Sequence, residues 1–455
     1  MSKSVKLKRG FTINLAGKAE KNLAEFSQPE TFAVKPTDFV GMLRPKALVD
    51  LGDNVKAGTP VLVDKKHDNI SYTSPVSGEV VEIRRGEKRK LLEITILADK
   101  EIEYASFNSY AVSDLVKASR ADVQQQMLDS GVWPNLIQRP YGIVANPEDS
   151  PRDIFISGFD SHPLAPDYNF ILKGEDKNFQ AGIEVLKKFT NGTIHVNIDG
   201  LGEVNQVYTA AESVQINKFS GKHPAGNVGV QIHHLAPINK NDLVWTINPY
   251  GVIQIGKLFI EGRYDTSKII ALAGSEVKNP QYYKTFGGAN VRKFTEGNLN
   301  NDHVRYISGN VLTGENISVQ GHLGYYDQMF TVIPEGDKPE FFGWFLPSFK
   351  KLSFSRSIGS LSFLNSSKKE YVIDTNMHGG ARAFVQTGDF EKVTPMDILP
   401  THLIKSILAE DYDEMEALGI YEIIEEDLAL CEFIDVSKHD IQAIVRDGLN
   451  LIQYS

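Results

Sequence analysis

Cysteine is almost missing: one residue, Cys431, in a chain of 455. One thiol makes no intrachain disulfide and cannot supply the four ligands of an iron–sulfur cluster, and such usage fits a reducing compartment. Long apolar runs are missing too. Nothing approaches the ~18 consecutive apolar residues of a membrane span, and the opening MSKSVKLKRGFTINLAG has no apolar signal core. Positive charge is in deficit, with 48 Lys and Arg against 58 Asp and Glu and a net charge of −10, which argues against a nucleic-acid binder. Catalytic signatures are absent as well: no Walker A loop, no G-x-S-x-G, no H-E-x-x-H and no G-x-G-x-x-G behind a strand. These exclusions leave an ordinary globular chain, 41% hydrophobic and 23% charged, of about three domains. It reads as cytoplasmic and soluble, or as a soluble subunit resting on something else.

What is present begins with Val49 to Ile83, two matched halves of short β-branched strands. Gly52-Asp53 and Gly58 punctuate the first half and Ser77-Gly78 the second, with Asp64-Lys65 at the apex. The pattern resembles the biotinyl/lipoyl hammerhead, a flattened β-barrel that carries lipoate or biotin on an apical lysine. The link from Lys65 to Ser74-Pro75 is long for a carrier hairpin, and Lys66, His67 and Asp68 are not the residues a ligase reads. The stretch therefore reads as architecture, with a carrier role for Lys65 as the alternative. The basic turn Arg84 to Lys90 reads as solvated, with an acidic partner as the lesser reading.

From Ser113 to Gly131 the spacing predicts a helix with Ser113-Asp114 at its start. Apolar runs at 153–158, 193–198 and 214–216 then alternate with a helix over 180–189, a βαβα rhythm that predicts a parallel, Rossmann-like sheet. Residues 252–335, opening on the glycine-spaced Gly251–Gly262 run, read as short strands of a compact β-grasp module. Beyond Gly336 come an aromatic-rich stretch, an alternating basic hairpin from Lys350 to Lys369, and a helical end. The helical end carries nine carboxylates and no Lys or Arg between Glu410 and Asp427. Those read mostly as a solvated helix face, with a docking surface as the minority reading. His233-His234, read as neighbours on a strand, point to opposite faces and make a poor metal site.

The order of these parts is similar to the A subunit of the bacterial Na⁺-translocating NADH:quinone reductase. The matching stretches are VGMLRP (40–45), SPVSGEVVEIRRGEKR (74–89), DSGVWPNLIQRPY (129–141), GKHPAGNVG (221–229), ISGNVLTG (307–314), FGWFLP (342–347) and EEDLALC (425–431). The resemblance implies an α/β multi-domain chain: a barrel domain with N-terminal strands over 1–105, a Rossmann-like domain over 106–251, a β-grasp (SLBB) domain over 252–335, and an aromatic-basic and acidic helical region over 336–455. It also implies kinship with the C subunit of the Rnf complex and with the flavin subunit of complex I. Those relatives place a glycine-rich flavin loop where this chain has Gln138-Arg139-Pro140-Tyr141-Gly142. Proline and bulky side chains there remove amide donors. At Ile156 to Pro163 the acidic pair of the nicotinamide-side site is missing, and only Cys431 remains of the cluster cysteines.

The resemblance thus implies a peripheral subunit that binds no cofactor of its own, with NADH, flavins, iron–sulfur centres and quinone handled by other, chiefly membrane-embedded, subunits at the cytoplasmic face of the inner membrane. No residue is assigned a catalytic, cofactor-binding or metal-binding role. Phe39, Met42, Trp133, Arg139 and Tyr141 are the candidates for proximity to a quinone, since flat rings and a guanidinium or phenol suit its ring and carbonyls. Against this stands ordinary core packing for Trp133 and Tyr141 and a surface ion pair for Arg139. A stand-alone flavin NADH dehydrogenase is the remaining alternative.

Overall fold

The computed structural model describes residues 2–454 apart from 339, 344–345, 356–359 and 386. Its first two strands, β1 (Ser4–Lys6) and β2 (Glu20–Ala24), pair with sheets formed much later in the chain. Neither joins the barrel with which they were grouped in the sequence. The barrel itself is built from β3 (Thr31–Val34), β4 (Pro45–Ala47), β5 (Asn54–Val55), β6 (Pro60–Asp64), β7 (His67–Thr73), β8 (Gly78–Arg85) and β9 (Leu91–Ala98). They form two small sheets, ordered β3-β9-β8-β5 and β4-β6-β7. Val61, Leu62, Val80, Ile94 and Ile96 are fully buried in it. β6 and β7 turn through Lys65 and Lys66, both exposed. Buried Asp64 fixes that turn by accepting from the backbone N–H groups of Leu43, Arg44 and Lys66 at 3.2, 3.1 and 3.1 Å. Gly78 sits at φ +151°, and a Cβ there would lie 1.9 Å from the Leu97 carbonyl oxygen, so the strand crossing admits only glycine.

The predicted helix over 113–131 divides into α1 (Val112–Leu115) and α2 (Arg120–Ser130). Ser119, not Ser113, caps α2, its hydroxyl oxygen accepting from the Asp122 N–H at 3.1 Å. Strands β10 (Ile137–Arg139), β11 (Ile143–Val144), β12 (Ile154–Ser157), β13 (Ile194–Asp199), β14 (Gln215–Ser220) and β15 (Val244–Thr246) follow. With β1 they make a seven-stranded sheet ordered β1-β14-β13-β12-β15-β10-β11. From β1 to β15 the neighbours run parallel, while β10 and β11 are antiparallel additions at one edge. The connections carry α3 (Tyr168–Ile171), α4 (Asp176–Leu186), α5 (Gln206–Thr209) and α6 (Val228–Leu235).

The glycine-spaced run after Tyr250 is no strand. It is α7 (Pro249–Glu261), which crosses the position at which the sequence divides the second domain from the third. Pro249 opens it, the Asn248 Oδ1 accepts from the Gly251 N–H at 2.7 Å, and left-handed Gly262 closes it. Its glycines are contact points. A Cβ on Gly256 would lie 1.8 Å from the Asn178 carbonyl, and one on Gly182 of α4 would lie 2.1 Å from the Val252 carbonyl. Two helix backbones touch there, which turn chemistry alone cannot announce.

The third sheet is ordered β19-β18-β20-β16-β17-β2 and uses β16 (Ser267–Ala273), β17 (Gln281–Phe286), β18 (Val304–Ser308), β19 (Glu315–Ile317) and β20 (Met329–Pro334), with the single turn α8 (Arg292–Thr295). From 335 to 389 the described residues are irregular. The expected hairpin over 350–369 reduces to one bridge, Ser348 to Ser360, and residues 356–359 lie outside the described set. The end is helical: α9 (Phe390–Val393), α10 (Pro400–Leu408), α11 (Tyr412–Ala417), α12 (Glu425–Ile434) and α13 (Ile441–Tyr454). Among the described residues no helix is long and apolar enough to cross a membrane.

Candidate functional site

β13 and β14 step away from β12 on one side and β15 lies on the other. Strand order therefore reverses between β12 and β15, and an open parallel sheet binds ligands in the crevice that forms beyond the carboxyl ends at such a point. Here two segments close in on the β12–β15 point, beside an open cleft of about 760 Å³ at the ends of β12 and β13 lined by Gly158, Asp160, His162, Ile198 and Asp199. The loop 221–229 comes down on the end of β12: the Ser157 hydroxyl donates to the Gly226 carbonyl at 2.8 Å and accepts from Gln231 Nε2 at 2.8 Å, and the Gly226 N–H donates to Ser161 Oγ at 2.8 Å. From the other side comes the start of α12. Arg139, at the end of β10, donates through Nη1 to Asp427 at 2.7 Å and through Nη2 to Glu426 at 2.8 Å. Arg139 is 1% exposed and Asp427 2%. Asp427 also accepts from the Ile424 N–H at 3.0 Å, closing the first turn of its own helix. Asn227 Nδ2 donates to the Glu426 carbonyl at 2.9 Å. A Cβ on Gly229 would lie 2.3 and 2.4 Å from the two Asp427 oxygens and 2.6 Å from Arg139 Nη1. Only glycine lets helix α6 come this close to the pair.

A second ion pair stands beside the first. His162 Nδ1 is 2.6 Å from Asp160 Oδ1, and the His162 and His223 rings lie 4.5 Å apart, centre to centre. Burial works against charge throughout, and the outcome differs by partner. For Arg139 it is outweighed by Asp427 and Glu426, so the pKa rises. Burial of Asp160 is outweighed by His162, holding its carboxyl below the usual range, and burial of His162 is outweighed by Asp160, holding the imidazolium above its own. Glu426 goes the other way, its pKa raised by burial and then by the Asp427 charge. His223 is pushed well down by burial and by the neighbouring His162. His162 Nε2, His223 Nε2, Arg139 Nε, Asn227 Oδ1 and Asp427 Oδ1 are buried without a hydrogen-bond partner among the described residues. The described residues contain no group of three or more His, Cys, Asp or Glu placed to hold a metal. The chemistry assembled here is that of a lock between the α/β sheet and the helical end.

The five residues singled out in the sequence fall in separate places. Phe39 is buried and stacks on Tyr72 and Tyr325 with ring centres 4.4 and 5.0 Å away. It lines a cavity of about 40 Å³, with Tyr264, Lys268 and Asp38, where the barrel, the α/β domain and the third sheet meet. Met42 is half-buried, its N–H donating to the Phe39 carbonyl at 3.1 Å. Trp133 is fully buried against Phe189 and Trp245, and its Nε1–H donates to the Ala145 carbonyl at 2.8 Å. Tyr141 is half-buried at φ +72°, and its carbonyl accepts from Arg446 Nη1 at 2.7 Å. The ion pair foreseen for Arg139 exists, but it is buried, not on the surface. Asp427 likewise belongs to an interior contact and not to a solvated face, with the half-buried Glu426 at its rim. His233 and His234 lie on helix α6, not on a strand. His233 bridges Glu422, at 2.6 Å, and the Asp397 N–H, at 2.9 Å, while His234 Nε2 meets the Pro395 carbonyl at 2.8 Å. Both tie the sheet domain to the helical end. Asp160, His162 and His223 were missed; the one local signal was the D-x-H spacing after an apolar strand.

Three family models match successive parts of the chain. Residues 5–99 match the NqrA N-terminal barrel-sandwich hybrid domain, 118–264 the NqrA second alpha/beta domain and 269–319 the NQRA C-terminal domain. The match over 118–264 takes in all of α7. Curated relatives, each named as the A subunit of Na(+)-translocating NADH-quinone reductase, include those of Yersinia pestis bv. Antiqua (strain Angola), 39% identical over 450 residues, and Photorhabdus laumondii subsp. laumondii, 37% identical over 451. That of Haemophilus influenzae (strain PittGG) is 36% identical over 452 residues. Each alignment covers 99% of both chains. With such identity along its whole length, the chain belongs to the NqrA family, the A subunit of the Na(+)-translocating NADH-quinone reductase.

Proposed function

We propose that this chain is a peripheral subunit of a sodium-pumping NADH:quinone reductase that binds no prosthetic group and serves assembly. One observation carries the reading: where a flavin loop would present free backbone N–H groups, the chain has Arg139-Pro140-Tyr141-Gly142, with Arg139 held by Glu426 and Asp427. A flavin phosphate needs several backbone N–H groups pointing at it. At 139–142 one residue is proline and the Gly142 N–H already donates to the Pro140 carbonyl at 2.9 Å. NADH, flavins, iron–sulfur centres and quinone are then handled by other subunits, chiefly those within the membrane, and this chain sits on the cytoplasmic face of the inner membrane. We take the third sheet as a β-grasp module of the SLBB type and place the limit before it behind α7. The test is a spectrum and a pull-down. The purified chain is expected to be colourless and to be recovered with membrane subunits from native membranes; a flavin band, or recovery alone, overturns the reading.

Quinone proximity is proposed for Phe39, Met42 and Tyr141. Trp133 and Arg139, the other two sequence candidates, are engaged in packing and in the ion pair, and both are almost wholly buried. An azido-quinone that labels 39–42 or 141 in the intact complex supports this, and labelling confined to other subunits removes it. A carrier role for Lys65 is separated by intact mass, which stays unmodified under the proposed reading even when lipoate is supplied.

A further inference from the structure

The stretch 338–369 departs from the rest of the chain in both charge and exposure. It holds six Lys and Arg and one carboxylate, Glu340, within a protein of net charge −10. Several of its described apolar side chains face outward: Phe341 is 86% exposed, Leu364 64%, Leu346 53% and Phe349 50%. Hydrogen bonds knit these positions into one surface. Lys351 Nζ reaches the Gly343 carbonyl at 2.9 Å, and the Ser360 hydroxyl donates to the Lys351 carbonyl at 2.9 Å. The Phe349 carbonyl accepts from Asn365 Nδ2 and from Lys369 Nζ, each at 2.8 Å. Lys351 pairs with Glu340. No carboxylate lies within ion-pair distance of Lys350, Lys368 or Lys369 among the described residues.

Exposed phenylalanine and leucine beside lysines with no carboxylate partner are a costly combination in water unless something covers it. The mixture also selects what covers it. Protein interface cores gather aromatics but exclude lysine, whereas the headgroup region of a bilayer takes both: apolar side chains enter the acyl boundary while lysine ammonium groups remain among anionic phosphates. Within a chain of net charge −10, this basic face, unlike the basic turn Arg84 to Lys90, also presents exposed phenylalanine and leucine. We infer that the surface formed by the described residues of this stretch rests on anionic phospholipid, with Phe341, Leu346 and Phe349 inserted at the headgroup boundary and Lys350, Lys368 and Lys369 on lipid phosphates. The inference rests on the peripheral-subunit reading and names the surface that the subunit meets.

The test is flotation of the full chain with vesicles of phosphatidylcholine alone and with phosphatidylglycerol added, at low and at physiological salt. The wild-type chain is expected to float with the anionic vesicles in a salt-dependent way. K350E/K368E/K369E is expected to bind them at least ~10-fold more weakly, each lysine contributing a few-fold at such a surface. F341S/L346S/F349S is expected to lose the residual, salt-resistant part. Five of the six side chains are exposed and Lys369 is half-buried, so unchanged near-UV circular dichroism and melting temperature certify that both variants are folded. The inference is overturned if the wild-type chain ignores both vesicle types, or if both variants bind as it does. Recovery with the membrane subunits in detergent, measured in parallel, separates the two readings. If it persists without vesicle binding, only the lipid contact fails and the surface meets protein; if it is lost for the wild-type chain, the subunit reading itself fails.

Discussion

Two junctions in this molecule are sealed by opposite means. Where the barrel, the α/β domain and the third sheet meet, Phe39, Tyr72, Tyr325 and Tyr326 pack ring on ring, with the Tyr264 and Tyr325 hydroxyls 2.9 Å apart and the Tyr326 hydroxyl donating to the Pro134 carbonyl at 2.7 Å. Where the parallel sheet meets the helical end, charge does the sealing through Arg139, Glu426 and Asp427, with Asp160 and His162 beside them. The aromatic seal loses stability in proportion to the area removed. A buried ionic seal loses far more when one partner is deleted than it contributes when complete, because the other partner is left charged and unpaired.

The largest effect should therefore come from Arg139→Ala, which strands two carboxylates and should cost about 3–5 kcal/mol in chemical denaturation. The paired change Arg139→Met with Asp427→Leu and Glu426→Gln should recover most of it, and a triple variant as unstable as the single one would place the defect elsewhere. Next comes Gly229→Ala, which forces a methyl group into the Asp427 carboxylate and should cost about 1–3 kcal/mol. In an Asp427→Ala background the penalty should shrink, a coupling that a double-mutant cycle reads directly. At the aromatic junction, Tyr325→Phe should cost about 1 kcal/mol, the worth of one hydroxyl contact.

The junctions should also differ in acid response. At the aromatic one, burial, only partly offset by Lys35, raises the Asp38 pKa to about 6. A carboxyl that prefers its proton in the folded state lends stability at low pH and loses it as pH climbs from the unfolded value of ~3.9 to about 6. Asp38→Asn should flatten that limb of the stability profile. At the ionic junction the raised pKa of His162 places its contribution below the unfolded value of ~6.5 and removes it as pH rises through the folded one. The stability difference between the wild-type chain and His162→Gln should thus be widest near pH ~6 and should narrow toward alkaline pH. The smallest effect belongs to the surface pair Lys240–Glu416, where Glu416→Gln should leave the denaturation midpoint almost unchanged.

The same contrast explains what could be read from the residues alone. The β6–β7 hairpin is local: Asp64 bonds its own turn, and the period-two pattern around it is visible within 20 or so residues. The strands β12 to β14 were legible for the same reason. Arg139 was picked out for its place in a loop, but its partners lie 287 and 288 positions away, and no local pattern reports such a pairing. The α7 glycines misled because close helix–helix approach and tight turns demand the same residue. The carboxylates of α12 looked solvated because a helix with acidic first-turn residues is normal in either setting; only the arginine facing them decides.

The two N-terminal strands carry a consequence for assembly. Ser4–Lys6 aligns with Lys218–Ser220 at the rim of one sheet, and Glu20–Ala24 lies beside Gln281–Tyr283 at the rim of another. Both are synthesised some 200 residues or more ahead of the rims they complete, so during translation each waits as an unpaired ribbon. Once home, they cover two open sheet borders that would otherwise invite strands from neighbouring molecules. A fusion or deletion that hinders the first 24 residues should therefore show itself first as precipitation from concentrated solution.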